Sequence, residues 1–214
     1  YAFSKSKTKA INTITRISAM GILVSSMALF VVLSVFSGLK TFNLSFTNEI
    51  DPDLVIEPIH GKSISVTENE IQKLNNLKEI LAYSFVVEER VVFNYGEKQL
   101  VANIKGIDSL YNKVTNIDKH ILYGDWLLPN TNQVVLGQII SNNLSVGTYT
   151  DEHFLEVLAM KPGEGAFDSP EDAYNKFTLY PSGIYSLQNS DIDGKYIYAD
   201  IHLAQELLEW NKNQ

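Results

Sequence analysis

The stretch "RISAMGILVSSMALFVVLSVFSGLK", Arg16–Lys40, carries no charge between its two ends. A cleaved signal peptide, a helix buried in a soluble core and a membrane span would each be apolar here, and length separates them. Ile17 to Leu39 is 23 uncharged residues, roughly 35 Å as an α-helix. The hydrocarbon layer is about 30 Å thick, so the run can cross it with some tilt. A signal-peptide core is about 7–15 residues long and ends in a small-x-small site. This run is longer, and "VFSGLK" offers no such match. A core helix would show a polar face, and this one has only scattered serines and glycines. A retained transmembrane helix over residues 17–39 is therefore expected.

Charge sets its orientation. The first sixteen residues carry Lys5, Lys7, Lys9 and Arg16 and no acid. Beyond Arg16, 13 Lys and Arg stand against all 25 Asp and Glu, a balance of −12 against +4. Basic residues stay on the cytoplasmic side, so the N-terminus is expected inside and residues 40–214 outside. Residues 1–16 form the cytoplasmic segment. Ile11, Ile14 and Ile17, interleaved with Lys and Thr, suit an amphipathic helix lying on anionic headgroups. The same lysines also serve as plain topology determinants, and the sequence leaves both readings open.

Beyond the span, about 175 residues suffice for one sizeable domain or two small ones. The acidic balance argues against nucleic acid, which needs a basic stripe. With no cysteine, disulfide frameworks, zinc ribbons and thiol catalysis are excluded.

Phe42 and Phe46 keep helical spacing and extend the first helix as a stalk towards Pro52. "DLVIEPI" (53–59) alternates as a strand does. Thr67 and Glu70 make a capping box opening a helix to about Asn76. "ILAYSFVVEERVVFNYGEKQLVANIKGI" reads as a strand and a hairpin turning at "NYGEK", and Asp108 caps a short helical turn. "QVVLG" is a buried strand leading into a helix to about Leu144. "FLEVLAM", "FTLYPSGIYSL" and "KYIYADI" are strands, and "HLAQELLEW" is a closing helix. Mixed strands and helices with hairpins predict an α+β fold.

Several motifs mimic chemistry. "HGKS" (His60–Ser63) resembles the end of a phosphate loop, but Ile56 stands where that loop needs glycine. Asn189, Asp191, Asp193, Gly194 and Asp200 occupy positions 1, 3, 5, 6 and 12 of an EF-hand-like loop. Its first residue is Asn and its last the short Asp, so an acidic turn between strands is the favoured reading. "DEHFLE" gathers Asp151, Glu152, His153 and Glu156 without a second histidine at ligand spacing; His60, His120 and His202 are scattered. Glu88–Glu89 reads as a solvated face. No metal site, cofactor or catalytic group is expected.

The stretches "INTITRISAMGILVSSMALFVVLSVFSGLK", "DPDLVIEP", "VVLGQIISNNLSVG" and "SGIYSL…DIDGKYIYADIHLAQELL", in this order, resemble the bacterial lipoprotein-releasing ABC transporter permeases, the LolC/LolE group of the wider MacB/FtsX-like permeases. The resemblance covers nearly all of this chain but only the first half of such a permease. It implies a periplasmic α+β domain of two subdomains over residues 40–214, anchored in the bacterial inner membrane and followed by three further spans. It implies a cytoplasmic ATPase subunit as the energy source, a second permease subunit in a homo- or heterodimer, and a lipoprotein cargo passed to a periplasmic carrier. Efflux or mechanical signalling within the same wider group, and a single-pass anchored binding or sensor protein, are the alternatives.

Ser18, Gly21, Ser25 and Ala28 form a small-residue ridge for a neighbouring helix. Met20, Leu23, Met27, Phe30 and Val31 face other directions, towards lipid or an apolar cargo. The loop Pro162–Lys176, with Phe167 and Tyr174 as apolar contacts and Pro162 and Pro170 limiting its freedom, is the candidate carrier-recruiting hook. A mobile surface loop with no partner is its plainer reading.

Overall fold

A computed structural model describes residues 9–50, 52–148, 153–162 and 173–210. The chain divides into two compact units, Tyr1–Asn48 and Glu49–Gln214. The described residues of the first belong to a single helix, α1 (Lys9–Ile50), of 42 residues. It runs without interruption through the apolar stretch because no proline or helix-breaking glycine pair interrupts it. Residues 1–8 of the expected cytoplasmic segment lie outside the described residues; residues 9–16 of that segment are already α1.

The second unit is built on one seven-stranded sheet. β1 (Val86–Tyr95) and β2 (Lys98–Ile107) form an antiparallel hairpin. Its turn places Gly96 at φ 58°, where a side chain would be strained. β7 (Tyr196–Asp200) lies parallel to β2, and β4 (Gln133–Gly137) antiparallel to β7. β6 (Tyr174–Tyr185) is parallel to β4, and β3 (Ile121–Gly124) is antiparallel to the end of β6. β5 (Leu155–Met160) pairs with both β1 and β6. The order is β3-β6-β4-β7-β2-β1-β5, and the extra β5–β6 pairing closes six strands into a circuit. β6 allows this because its first half pairs with β5 and its second with β4 and β3. Pro181, which has no ladder donor, stands where the β4–β6 register shifts.

Two hydrophobic clusters hold the sheet. On one face Val91 and Phe93 of β1, Ile104 of β2 and Val157 of β5 pack with α4 (Gln138–Leu144) and α6 (Ile201–Leu207). Gly106 lets α6 approach, since an added Cβ would collide with the Ala204 side chain. On the other face Tyr111, Ile117, Tyr185 and Tyr198 pack under α3 (Tyr111–Val114) and the 3-10 turn Ile117–His120. β4 and β7 are buried on both faces: Val134 and Leu136 point to the first cluster, Val135 to the second. Burial raises the Tyr185 and Tyr198 hydroxyls above the usual tyrosine range. Tyr185 Oη lies 3.1 Å from the carbonyl oxygens of both Ile192 and Tyr196.

The expected α+β class is what the chain adopts. The described strands of this unit form one sheet, with one hydrophobic cluster on each face.

Three local expectations are corrected. Residues 53–59 are not a strand, and Leu54, Val55, Ile56 and Ile59 are exposed. Alternation supplies a strand's side chains but not a neighbouring ladder, and Pro52 and Pro58 remove donors at either side. Residues 80–85 are likewise outside the sheet. They are tied to it by Asp108, whose carboxylate accepts from Ser84 Oγ (2.6 Å), Phe85 N (2.9 Å) and Leu110 N (2.9 Å). Lastly, Tyr174–Lys176 belong to β6 and not to a loop: Tyr174 pairs with Met160, and Lys176 Nζ reaches Glu156 Oε1 at 2.6 Å.

The capping box is present in α2 (Glu68–Asn76). Thr67 N and Oγ1 both donate to Glu70 Oε2, at 2.8 and 2.7 Å. These bonds, the backbone one first, hold the Glu70 carboxyl below the usual glutamate range.

Candidate functional site

Within α1, residues Lys9–Phe42 are long and apolar enough to cross a membrane. At 3.6 residues per turn each residue advances about 100°. Ser18, Gly21, Ser25 and Ala28 then fall within roughly 80° of one another. Met20, Leu23, Met27, Phe30 and Val31 fall within roughly 100° on the opposite side, centred on Met27. All nine side chains are exposed, and the space around Gly21 is open, with nothing within 4 Å of an added Cβ. The helix thus carries a smooth side and a bulky side. Its hydroxyls cost little in an apolar medium where they bond back to the helix: Thr15 Oγ1 donates to Ile11 O at 2.9 Å, and Ser26 Oγ to Ile22 O at 2.6 Å.

In the sheet unit, the β5–β6 hairpin is zipped as far as Lys161 N donating to Ala173 O at 2.9 Å. Pro162 is exposed beyond this point and Tyr174 is half-exposed at its base. Phe167 and Pro170 lie outside the described residues.

The chemistry mimics resolve into structure. Lys62 Nζ of "HGKS" donates to both carboxylate oxygens of Glu89, at 2.9 and 2.8 Å, while Gly61 makes the turn at φ 81°. Two of the three EF-hand-like carboxylates, Asp193 and Asp200, accept from backbone N–H groups. Asn189 caps α5 (Ser190–Asp193) by accepting from Asp191 N. Asp193 accepts from Leu187 N at 2.9 Å, and Asp200 from Asn130 N at 2.8 Å and His202 N at 2.9 Å. His153 stacks edge-on against Tyr95, and Asp151 and Glu152 lie outside the described residues. Among the described residues no cluster of three acids, histidines or cysteines could hold a metal.

One further site is not signalled by any motif in the sequence. A shallow cleft of about 570 Å³ lies on the face of β1 and β2 opposite Val91, Phe93 and Ile104, lined by Arg90, Val101, Asn103, Ser190, Asp191 and Lys195. Arg90 stands opposite Asn103 in the hairpin register. Asn103 Nδ2 donates to Glu88 Oε1 at 2.7 Å, and its backbone N donates to Lys195 O at 2.8 Å. Lys195 Nζ donates to Tyr196 Oη at 2.6 Å, a bond that raises its pKa and keeps it charged. The signal available in the sequence was that Arg90 is the one arginine beyond Arg16.

No family model matches this sequence, and no curated protein does. Among solved structures, similarity is found to the extracellular domain of the noncanonic ABC-type transporter YknZ from Gram-positive bacteria. The two are 14% identical with a TM-score of 0.46, covering 66% of each chain. The periplasmic region of MacB from Actinobacillus actinomycetemcomitans is also 14% identical, with a TM-score of 0.42 over 66% of this chain. The chain spans just under two thirds of the first of these and 59% of the second.

Proposed function

We propose that this chain is the first membrane span and periplasmic domain of an ABC transporter permease subunit in a bacterial inner membrane. The observation that carries the reading is α1. Its 42-residue helix holds an uncharged run of 23 residues, with +4 before it and an acidic α+β unit after it. The order of sequence stretches resembling the LolC/LolE group supports the finer assignment: the subunit extracts lipoproteins from the membrane and hands them to a periplasmic carrier.

In this reading the ridge Ser18, Gly21, Ser25 and Ala28 packs against another span or the second permease subunit. The face centred on Met27 meets acyl chains, where the unbranched, polarizable thioether adapts to varied shapes. Work is supplied by a separate cytoplasmic ATPase, as the resemblance to these permeases implies. The β5–β6 loop is the place for carrier recruitment.

The test uses the full-length protein in its native membrane. Photo-crosslinkers at Met27 should trap acylated protein, and at Ser25 a second permease segment. Met27→Asp or Val31→Asp should block cargo release while an ATPase still co-purifies. Normal release with either charge in place overturns the cargo assignment, and a mature N-terminus near Lys40 overturns the span itself. Unchanged transfer after trimming residues 163–172 removes the loop from the mechanism.

A further inference from the structure

Beyond Arg16 acids outnumber basic residues 25 to 13, yet Arg90 is exposed and has no ion-pair partner among the described residues. The nearest acid on its strand face is already engaged. Glu88 accepts from Asn103 at 2.7 Å, lies 3.9 Å from Lys195 Nζ, and pairs across the register with Lys105. The two lysines are held in place by aromatic rings. Lys195 Nζ is 4.5 Å from the Tyr196 ring centroid, and Lys105 Nζ is 5.0 Å from the same ring and 5.6 Å from that of Tyr111. Such cation–π contacts fix ammonium groups that would otherwise sweep through solvent. Beside Arg90 lie Val101, 48% exposed, and its cross-strand partner Val92.

We propose that this cleft binds an extended polypeptide segment through a carboxylate, gripped by Arg90 and Lys195, with an adjacent apolar side chain resting on Val101 and Val92. The guanidinium fork matches a planar carboxylate with two parallel hydrogen bonds. Asp191 on the cleft wall and Glu88 one step along β1 repel the nearly double charge of a phosphate more than the single charge of a carboxylate. Ser190 and Asn103 offer donors and acceptors and Asp191 acceptors, which suits the alternating N–H and C=O groups of a peptide. A shallow cleft open along the sheet admits a chain passing through it, whereas small molecules favour enclosed pockets. The inference rests on the sheet unit and holds whether or not the chain transports lipoproteins.

Full-length protein in neutral detergent micelles is to be titrated by fluorescence anisotropy with a labelled octapeptide pool alternating valine and glutamate, and with the matched glutamine pool. The glutamate pool should bind with an affinity that falls as salt rises, and the glutamine pool about tenfold more weakly. Arg90→Gln should cost about tenfold for the glutamate pool alone, with Arg90→Lys recovering part of it. Equal binding of both pools, no binding of either, or an unchanged Arg90→Gln variant overturns the proposal. So does a preference for inorganic phosphate or for phosphatidylglycerol vesicles over the glutamate pool. A circular dichroism spectrum matching wild type assigns any loss to the cleft and not to unfolding.

Discussion

Helix α1 and the sheet unit solve opposite problems with the same residue types. Along α1, every side chain from Lys9 to Phe42 except Asn12 is exposed, including Met20, Ile22 and Phe30. In the sheet unit, Phe93, Ile104, Val135 and Leu136 have no exposed surface at all. The helix satisfies its backbone internally, residue by residue, so it can present apolar side chains outward to a medium that is itself apolar. The strands satisfy theirs only through neighbours far away in sequence, so their apolar side chains can be buried only once the sheet has assembled. In the proposed membrane span burial is left to the surroundings, and in the sheet unit the chain supplies it itself.

The largest test of this contrast is a cavity in the sheet. Phe93→Ala should destabilise the unit by roughly 3–5 kcal/mol, read as a large fall in its thermal midpoint, while α1 remains inserted. Conversely, Val32→Asp should cost about 3 kcal/mol of membrane insertion, measured by an insertion assay, with the sheet unit's melting unchanged. If either substitution shifts both readouts equally, the two regions are not independent. Next in size, Asp193→Ala leaves the buried Leu187 N–H without its acceptor and should cost about 1–3 kcal/mol, checked by denaturant titration.

Smaller effects are expected where the chain is exposed. Lys62→Ala breaks the pair with Glu89, but the lysine side chain is 74% exposed, so the loss should be no more than about 1 kcal/mol. The Glu70 cap gives the gentlest effect, and its sign is fixed by the lowered pKa. Because the folded carboxyl titrates below its unfolded value, its contribution is present above the ordinary glutamate range. It is lost as pH falls through the depressed value. The helical signal of α2 should therefore weaken on acidification, and Glu70→Gln should abolish that dependence.

Elements with a local cause could be read from the sequence. Thr67 and Glu70 sit three residues apart and cap α2 without help from the rest of the fold. The β1–β2 hairpin follows from β-branched residues around Gly96. Residues 53–59 show the limit. Their pattern is that of a strand, but a strand is defined by its partner, and the sequence does not say whether one is present. The cleft was hidden for a related reason: Arg90, Asn103 and Lys195 come together only through the β1–β2 register and the Asn103–Lys195 backbone bond. Glu88 and Glu89 read alike in sequence, yet one points to the cleft side and accepts from Asn103, while the other is clasped by Lys62.

The sequence by itself determined the apolar helix, its charge asymmetry, the two faces of α1 and the α+β class, because periodicity and composition act within a few turns of chain. Only the tertiary structure decided that β5 would bridge β1 and β6, and that a proline would stand where β6 shifts register. Those pairings join residues as far apart as Val92 and Leu158, and no local propensity encodes which distant edge a strand will meet.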